Sequence, residues 1–146
     1  MTPALGFEIA STFAILAWVL LGLGVLAPPG RFRERALFVA GRVCPVVLCA
    51  VYVIVLVAFW GSAPGGNFGS LAGVGRLFAV PGKLLAGWVH FLALDLLLGH
   101  WMATDRLGRS RSRWPLLACL PLTFMFAPAG LLLYLAIRRA GGLRVT

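Results

Sequence analysis

Acidic side chains are scarce in this sequence. It has 4 Asp and Glu among 146 residues, and charged residues of both signs make up only 12%. A soluble domain carries about 25% charged residues and needs them to cover its surface. A water-facing surface over most of the chain is therefore excluded. The four carboxylates, Glu8, Glu34, Asp95 and Asp105, form no Asp-rich diphosphate motif and no catalytic carboxylate pair. A Gly-rich phosphate loop and a nucleophile elbow are also missing. Cys44, Cys49 and Cys119 make no Cys-x-x-Cys pair and fall inside apolar stretches. They read as small packing residues rather than as metal ligands or redox partners.

Apolar residues fill the gap left by charge. They make up 61% of the chain, against about 45–50% in soluble domains. With 146 residues the chain is a single domain, residues 1–146, so its apolar surface must face something other than water. The net charge of +9 comes almost entirely from arginine. These arginines stand at the ends of apolar runs, where they meet lipid headgroups. Nucleic acid is not an expected partner.

About 20 helical residues cross a bilayer core. Four stretches reach that length, at about 7–27, 37–60, 81–102 and 114–137. The first has Glu8 where a signal peptide carries positive charge, and its apolar run is long, so it reads as a retained span. Arg42 near the start of the second can snorkel to the headgroups. Pro121 and Pro128 in the fourth predict a bend or local unwinding. Between the second and third spans, a Gly- and Ser-rich loop precedes residues 70–80. There Leu71, Val74, Leu77 and Phe78 repeat at helical spacing, predicting a short interfacial helix ended by Pro81. The expected fold class is all-α: an integral membrane up-down four-helix bundle with that short helix between spans two and three. Arginine and lysine counts in the loops are eight against five, which favours both termini outside the cytoplasm.

Polar residues inside the spans are the candidates for function. Asp95 sits at the middle of the third span, where a carboxylate is costly and has either a partner or a task. A hydrogen-bonded aspartate locking helices together is the plain alternative to a catalytic one. His90 lies five residues earlier. The two side chains point about 140° apart and differ by about 7.5 Å in depth, so they are no face-to-face pair. His90, too, reads either as a core residue or as a functional one. His100 has the wrong spacing for a metal set with them and reads as interfacial. Matching span midpoints puts Tyr52, Tyr134 and Thr12 near His90 as a polar layer, and Thr123 near Asp95. Trp60, Trp101 and Trp114 mark span ends, whereas Trp18 and Trp88 lie deeper, as packing residues or as walls of a lipid groove.

Three segments carry a resemblance. They are Phe68-Gly-Ser-Leu-Ala-Gly-Val74, then Leu84-Leu-Ala-Gly-Trp-Val-His-Phe-Leu-Ala-Leu-Asp-Leu96, then Leu122-Thr-Phe-Met-Phe-Ala-Pro-Ala-Gly-Leu-Leu-Leu-Tyr134. Together they resemble the abscisic-acid-deficient-four-like family over about the C-terminal half; the first two spans match it in hydropathy only. Plant members are chloroplast membrane proteins needed to make neoxanthin from violaxanthin, and bacterial members are largely uncharacterised. The family pattern carries His90 and Asp95 in the third span and Pro128, Ala129 and Gly130 in the fourth. It does not require a histidine at position 100. Leu94 stands where many relatives have an aromatic residue.

The resemblance implies a protein that binds or converts a carotenoid or other isoprenoid lipid within the bilayer. Asp95 or His90 would act as acid or base in an isomerase-like step, because epoxide opening needs a proton donor and allylic deprotonation needs a base. Trp88, Tyr52, Thr123, Pro128 and Tyr134 are the expected substrate-binding residues. No metal set and no cofactor motif is legible. The expected partners are a membrane lipid or hydrophobic small molecule, with a partner membrane enzyme or a second copy of the chain beside it. The alternative function is a non-enzymatic accessory or structural membrane protein. Proton or ion transport is a weaker reading, because one acid and one histidine make a thin relay. Composition points to a bacterial inner membrane.

Overall fold

Local chemistry sets the first helix. In the computed structural model, which describes residues 2–61, 63–109 and 112–142, α1 runs Pro3–Leu26. The Thr2 hydroxyl accepts from Leu5 N–H at 3.3 Å, and Pro3 takes a first-turn position where no N–H is needed. Pro28 and Pro29 follow the helix end. Gly30, at φ +150°, turns the chain through a conformation that side chains resist.

Helix α2 runs Arg31–Ala58. It begins ahead of the expected Leu37, because Arg, Glu and Ala are good helix formers once Gly30 has turned the chain. A wide π-turn interrupts it at Val39–Val43, where Cys44 N–H reaches back to Val39 O. Pro45 gives the reason. Proline has no N–H to offer the carbonyl of Gly41, and its ring would press on that carbonyl in a regular helix. One widened turn relieves the clash. The Arg42 guanidinium lies 6.0 Å from the Phe38 ring centroid, one turn nearer the helix start, as snorkelling predicts.

Helix α3 is short, Leu71–Phe78, with the Ser70 hydroxyl accepting from Gly73 N–H at 3.0 Å. Helix α4 runs Pro81–Gly108, continuing past the expected Met102. Its added turns are held by the Thr104 hydroxyl donating to His100 O at 2.9 Å and by Arg109 Nε donating to Asp105 Oδ1 at 3.1 Å. Helices α1, α2 and α4 are the three long and apolar enough to cross a membrane.

Helix α4 is the centre of the fold and packs against all five other helices. Small side chains allow the close approach. Ala10, Ala14, Ala17 and Leu21 of α1 are buried, as are Ala86, Val89, Ala93 and Leu96 of α4, each set on one helical stripe. At one end, Arg33 Nε donates to Ala27 O at 2.9 Å, and Arg113 Nη1 donates to Leu26 O at 2.7 Å and Ala27 O at 3.0 Å. The two guanidinia satisfy carbonyls that the end of α1 leaves free. They also bring the α1–α2 link and the stretch that follows α4 to the same end of the molecule, as the arginine pattern predicts.

The fourth stretch departs from expectation. It is not one straight span but two helices, α5 at Leu116–Met125 and α6 at Ala127–Gly142. The helical bonding stops at Phe126, with φ −144° and ψ 75°. Its N–H bonds Leu122 O at 2.7 Å while its carbonyl accepts from Ala129 and Gly130 N–H. Pro128 disfavours the helical conformation at Ala127 and has no N–H to return to Phe124. The bend expected from the prolines is therefore a reversal. A Cβ on Gly130 would strike the backbone and hydroxyl of Thr123, so α6 folds directly back on α5. Met102 of α4 lies 3.6 Å from the Thr123 hydroxyl, and Arg138 of α6 reaches Asp105 of α4. Helix α6 thus returns toward the arginine-rich end, whereas an up-down bundle would carry Arg138 and Arg139 to the opposite end. The described chain is all-helical, with three long apolar helices and a helical hairpin.

Two measurements check the hairpin. Spin labels at the exposed Leu117 and Leu135 would sit about 27 Å apart on a straight helix; the hairpin gives a separation well below that. Gly130→Leu should lower stability by about 1–3 kcal/mol, read as a lower melting temperature in detergent. A straight-helix distance or an unchanged melting profile would remove the reversal.

Candidate functional site

An opening lies at the end of the molecule opposite the arginine-rich links. It is a pocket of about 650 Å³ between α2, α3, the loop joining them and the first half of α4. Tyr52, Leu56 and Phe59 come from α2 and its end, Leu77 and Phe78 from α3, and Lys83, Ala86, Gly87, His90 and Phe91 from α4. Trp60 and Phe68 contribute exposed rings. Positions 83, 87 and 90 recur at helical spacing and so share one face of α4. Gly87 has no side chain there, and the Phe78 ring occupies the space a Cβ would need.

The loop over the pocket is built by its own polar groups. Asn67 Oδ1 accepts from Gly69 N–H at 2.9 Å, and Asn67 N–H donates to Gly73 O at 3.3 Å. The Arg76 guanidinium lies 3.5 Å from Gly65 O. These contacts tie residues 65–67 of the α2–α3 link to α3.

Of the expected site residues, His90 and Tyr52 come together. Their ring centroids are 5.5 Å apart, and both line the pocket. Asp95 lies deeper on α4, half-buried, with no hydrogen bond or ion pair among the described residues. It does not line the pocket, so His90 and Asp95 form no dyad. Trp88 faces the other way. Its Nε1 donates to Ser11 Oγ at 2.9 Å, and its ring sits 5.3 Å from that of Phe7, on a separate groove of about 360 Å³ between α1 and α4. Pro128 is exposed in the first turn of α6.

Tyr134 and Thr123 correct the depth matching. Midpoints matched on a straight fourth span put Tyr134 beside His90. In the hairpin its hydroxyl donates to Asp105 Oδ2 at 2.6 Å, and its ring lies 5.6 Å from that of Trp101, at the opposite end of α4. Thr123 lies against Met102 rather than Asp95, and its hydroxyl donates to Cys119 O at 2.7 Å. Tyr134 thus leaves the expected polar layer and Thr12 is exposed on α1, so the two members seen together are His90 and Tyr52. His100 faces a neighbouring helix. Its half-buried ring fills the space that Gly41 leaves at the π-turn, and its Nδ1 has no partner among the described residues.

Two features escaped the sequence reading. Asp105 binds Tyr134, Arg109 and Arg138 together, a cluster that depends on the hairpin. Lys83 lines the pocket, and its seven-residue spacing to His90 was the available signal. Among the described residues, no three His, Cys, Asp or Glu side chains stand close enough to hold a metal ion.

Over the described residues these features define a class: an all-helical protein with three helices long and apolar enough to cross a membrane and an aromatic-lined pocket between helices. The particular family follows from comparison. The ABA DEFICIENT 4-like family model matches residues 5–134, so the chain belongs to that family. The match takes in the first two spans as well as the C-terminal half. No curated protein and no solved structure matches the chain.

The Asp105 cluster makes a prediction of its own. Tyr134→Phe removes a hydrogen bond to a charged group, which should cost about 1.5–3 kcal/mol of stability. Thermal unfolding in detergent measures it. Tyr52→Phe, at the pocket, should change stability less, because the Tyr52 hydroxyl has no hydrogen bond among the described residues.

Proposed function

We propose that this protein is an integral membrane protein that holds a carotenoid or related isoprenoid lipid in the pocket between α2, α3 and α4. The observation that carries the reading is the pocket itself. Ligand pockets are about 300–1,000 Å³, mostly apolar, with a few polar groups that orient the ligand. Here aromatic and aliphatic walls surround an opening lined by the half-buried Tyr52 and the exposed His90, and the volume of about 650 Å³ suits a lipid chain or ring. Family membership supports the same class of ligand.

The distribution of charge supports an orientation. Arg31, Arg33, Arg35 and Arg42 of α2, Arg106, Arg109 and Arg113 around the α4–α5 link, and Arg138 and Arg139 of α6 gather toward one end. Among the described residues, only Arg76 and Lys83 stand at the other. The hairpin turns a margin of eight against five into a strong bias. By the positive-inside rule the arginine end faces the cytoplasm and the pocket faces the opposite side. The N-terminus is then outside and α6 ends inside, in a bacterial inner membrane.

His90 is the group placed to exchange a proton with a pocket ligand, with Tyr52 against its ring. Asp95 stands below it on α4 and serves as a proton store or helix contact rather than as a second contact to the ligand.

Lipids extracted from the purified protein, identified by mass spectrometry, test the binding reading. An isoprenoid enriched over the bulk membrane is expected; bulk composition alone would overturn it. With that ligand in hand, His90→Gln should lower turnover about 10²–10⁴-fold, since an amide cannot act as acid or base near neutral pH. Asp95→Asn should lower it less. Unchanged turnover in His90→Gln would remove the catalytic role and leave binding. Cysteines placed at positions 33, 109 and 139 should react with an impermeant reagent only from the cytoplasmic side.

A further inference from the structure

The pocket's charge is unbalanced. Lys83 lines it in the first turns of α4, half-buried among Phe59, Phe78 and Ala86. No acidic side chain lines the pocket. Of the four carboxylates, Glu34 and Asp105 stand at the far end, Glu8 is exposed on α1, and Asp95 lies deeper on α4 outside the pocket. None forms an ion pair with Lys83. The start of the long helix α4 adds the positive end of its dipole at the same place. An ammonium beside apolar walls and without a counter-charge is a ready partner for an anion.

We propose that the pocket takes an amphipathic molecule whose anionic oxygen head, a carboxylate or a phosphate, is neutralised at Lys83. Its apolar chain runs along the pocket face of α4 toward His90, Tyr52 and Phe91. Lys83 and His90 share that face about 10 Å apart, the rise of seven helical residues. The head therefore sits near the mouth, and His90 meets the chain or a polar group along it. Lysine acts as a point charge and accepts either head, so the geometry selects anionic over neutral lipids. This inference rests on the pocket being the ligand site, and it narrows the ligand class.

The test uses the full chain in phosphatidylcholine nanodiscs, with cis-parinaric acid and its methyl ester as fluorescent probes. The acid should bind saturably and about ten-fold tighter than the ester. Lys83→Gln should abolish that preference and Lys83→Arg should keep it, with both variants checked by melting temperature. Displacement of the bound acid by phosphatidic acid would assign a phosphate head; failure of phosphatidic acid to compete would assign a carboxylate. Equal binding of acid and ester to the wild type, or an unchanged preference in a folded Lys83→Gln, would overturn the inference while leaving a neutral-lipid pocket intact. Saturable binding by neither probe would overturn the inference and the pocket reading together.

Discussion

Asp105 holds the far half of this fold in place. Its carboxylate takes the Tyr134 hydroxyl at 2.6 Å and stands 3.1 Å from Arg109 Nε and 3.6 Å from Arg138 Nε. An exposed ion pair alone contributes little. Here the buried tyrosine, 1% exposed, makes the contact directional, because a phenol removed from water needs an acceptor. The cluster fastens α6 to α4 after the chain has reversed at Phe126. It adds a directional contact to the packing of Leu133, Tyr134 and Ile137 of α6 against the core.

The fold therefore divides its labour along α4. One end is a polar knot of arginines, carboxylates and helix-end carbonyls. The other end has a short helix, a glycine-rich link held by Asn67, Ser70 and Arg76, and the pocket. Between them, alanines and glycines bring α1, α2 and α4 close together. Packing of this kind depends on contact area between backbones, since lipid leaves no hydrophobic force to drive helix against helix. A tight waist allows an open pocket at one end without loss of the whole.

Much was legible from composition and period. The three long apolar helices, the short helix near residues 70–80 and the shared end of the two arginine loops all follow from run length, spacing and charge placement. Such signals are local, and each helix satisfies its own backbone before it meets a neighbour. The family resemblance at Phe68–Val74, Leu84–Leu96 and Leu122–Tyr134 extends to a match over residues 5–134. His90 and Tyr52 were placed together correctly because they lie on helices that do run antiparallel.

The sequence by itself determined an all-helical, lipid-compatible chain with a histidine and an aspartate inside its third span, because apolar length and helical period are properties of single segments. Only the tertiary structure decided the rest. Prolines at 121 and 128 mark a disturbed helix, yet a bend and a reversal have the same local signature. What separates them is whether Gly130 can lie against Thr123 and whether Tyr134 and Arg138 find Asp105. The π-turn before Pro45 likewise needs His100 to fill the space beside Gly41. Depth matching failed at Tyr134 and Thr123 for one reason: it assumed a direction for the last helix, and direction is set by contacts between residues far apart in sequence.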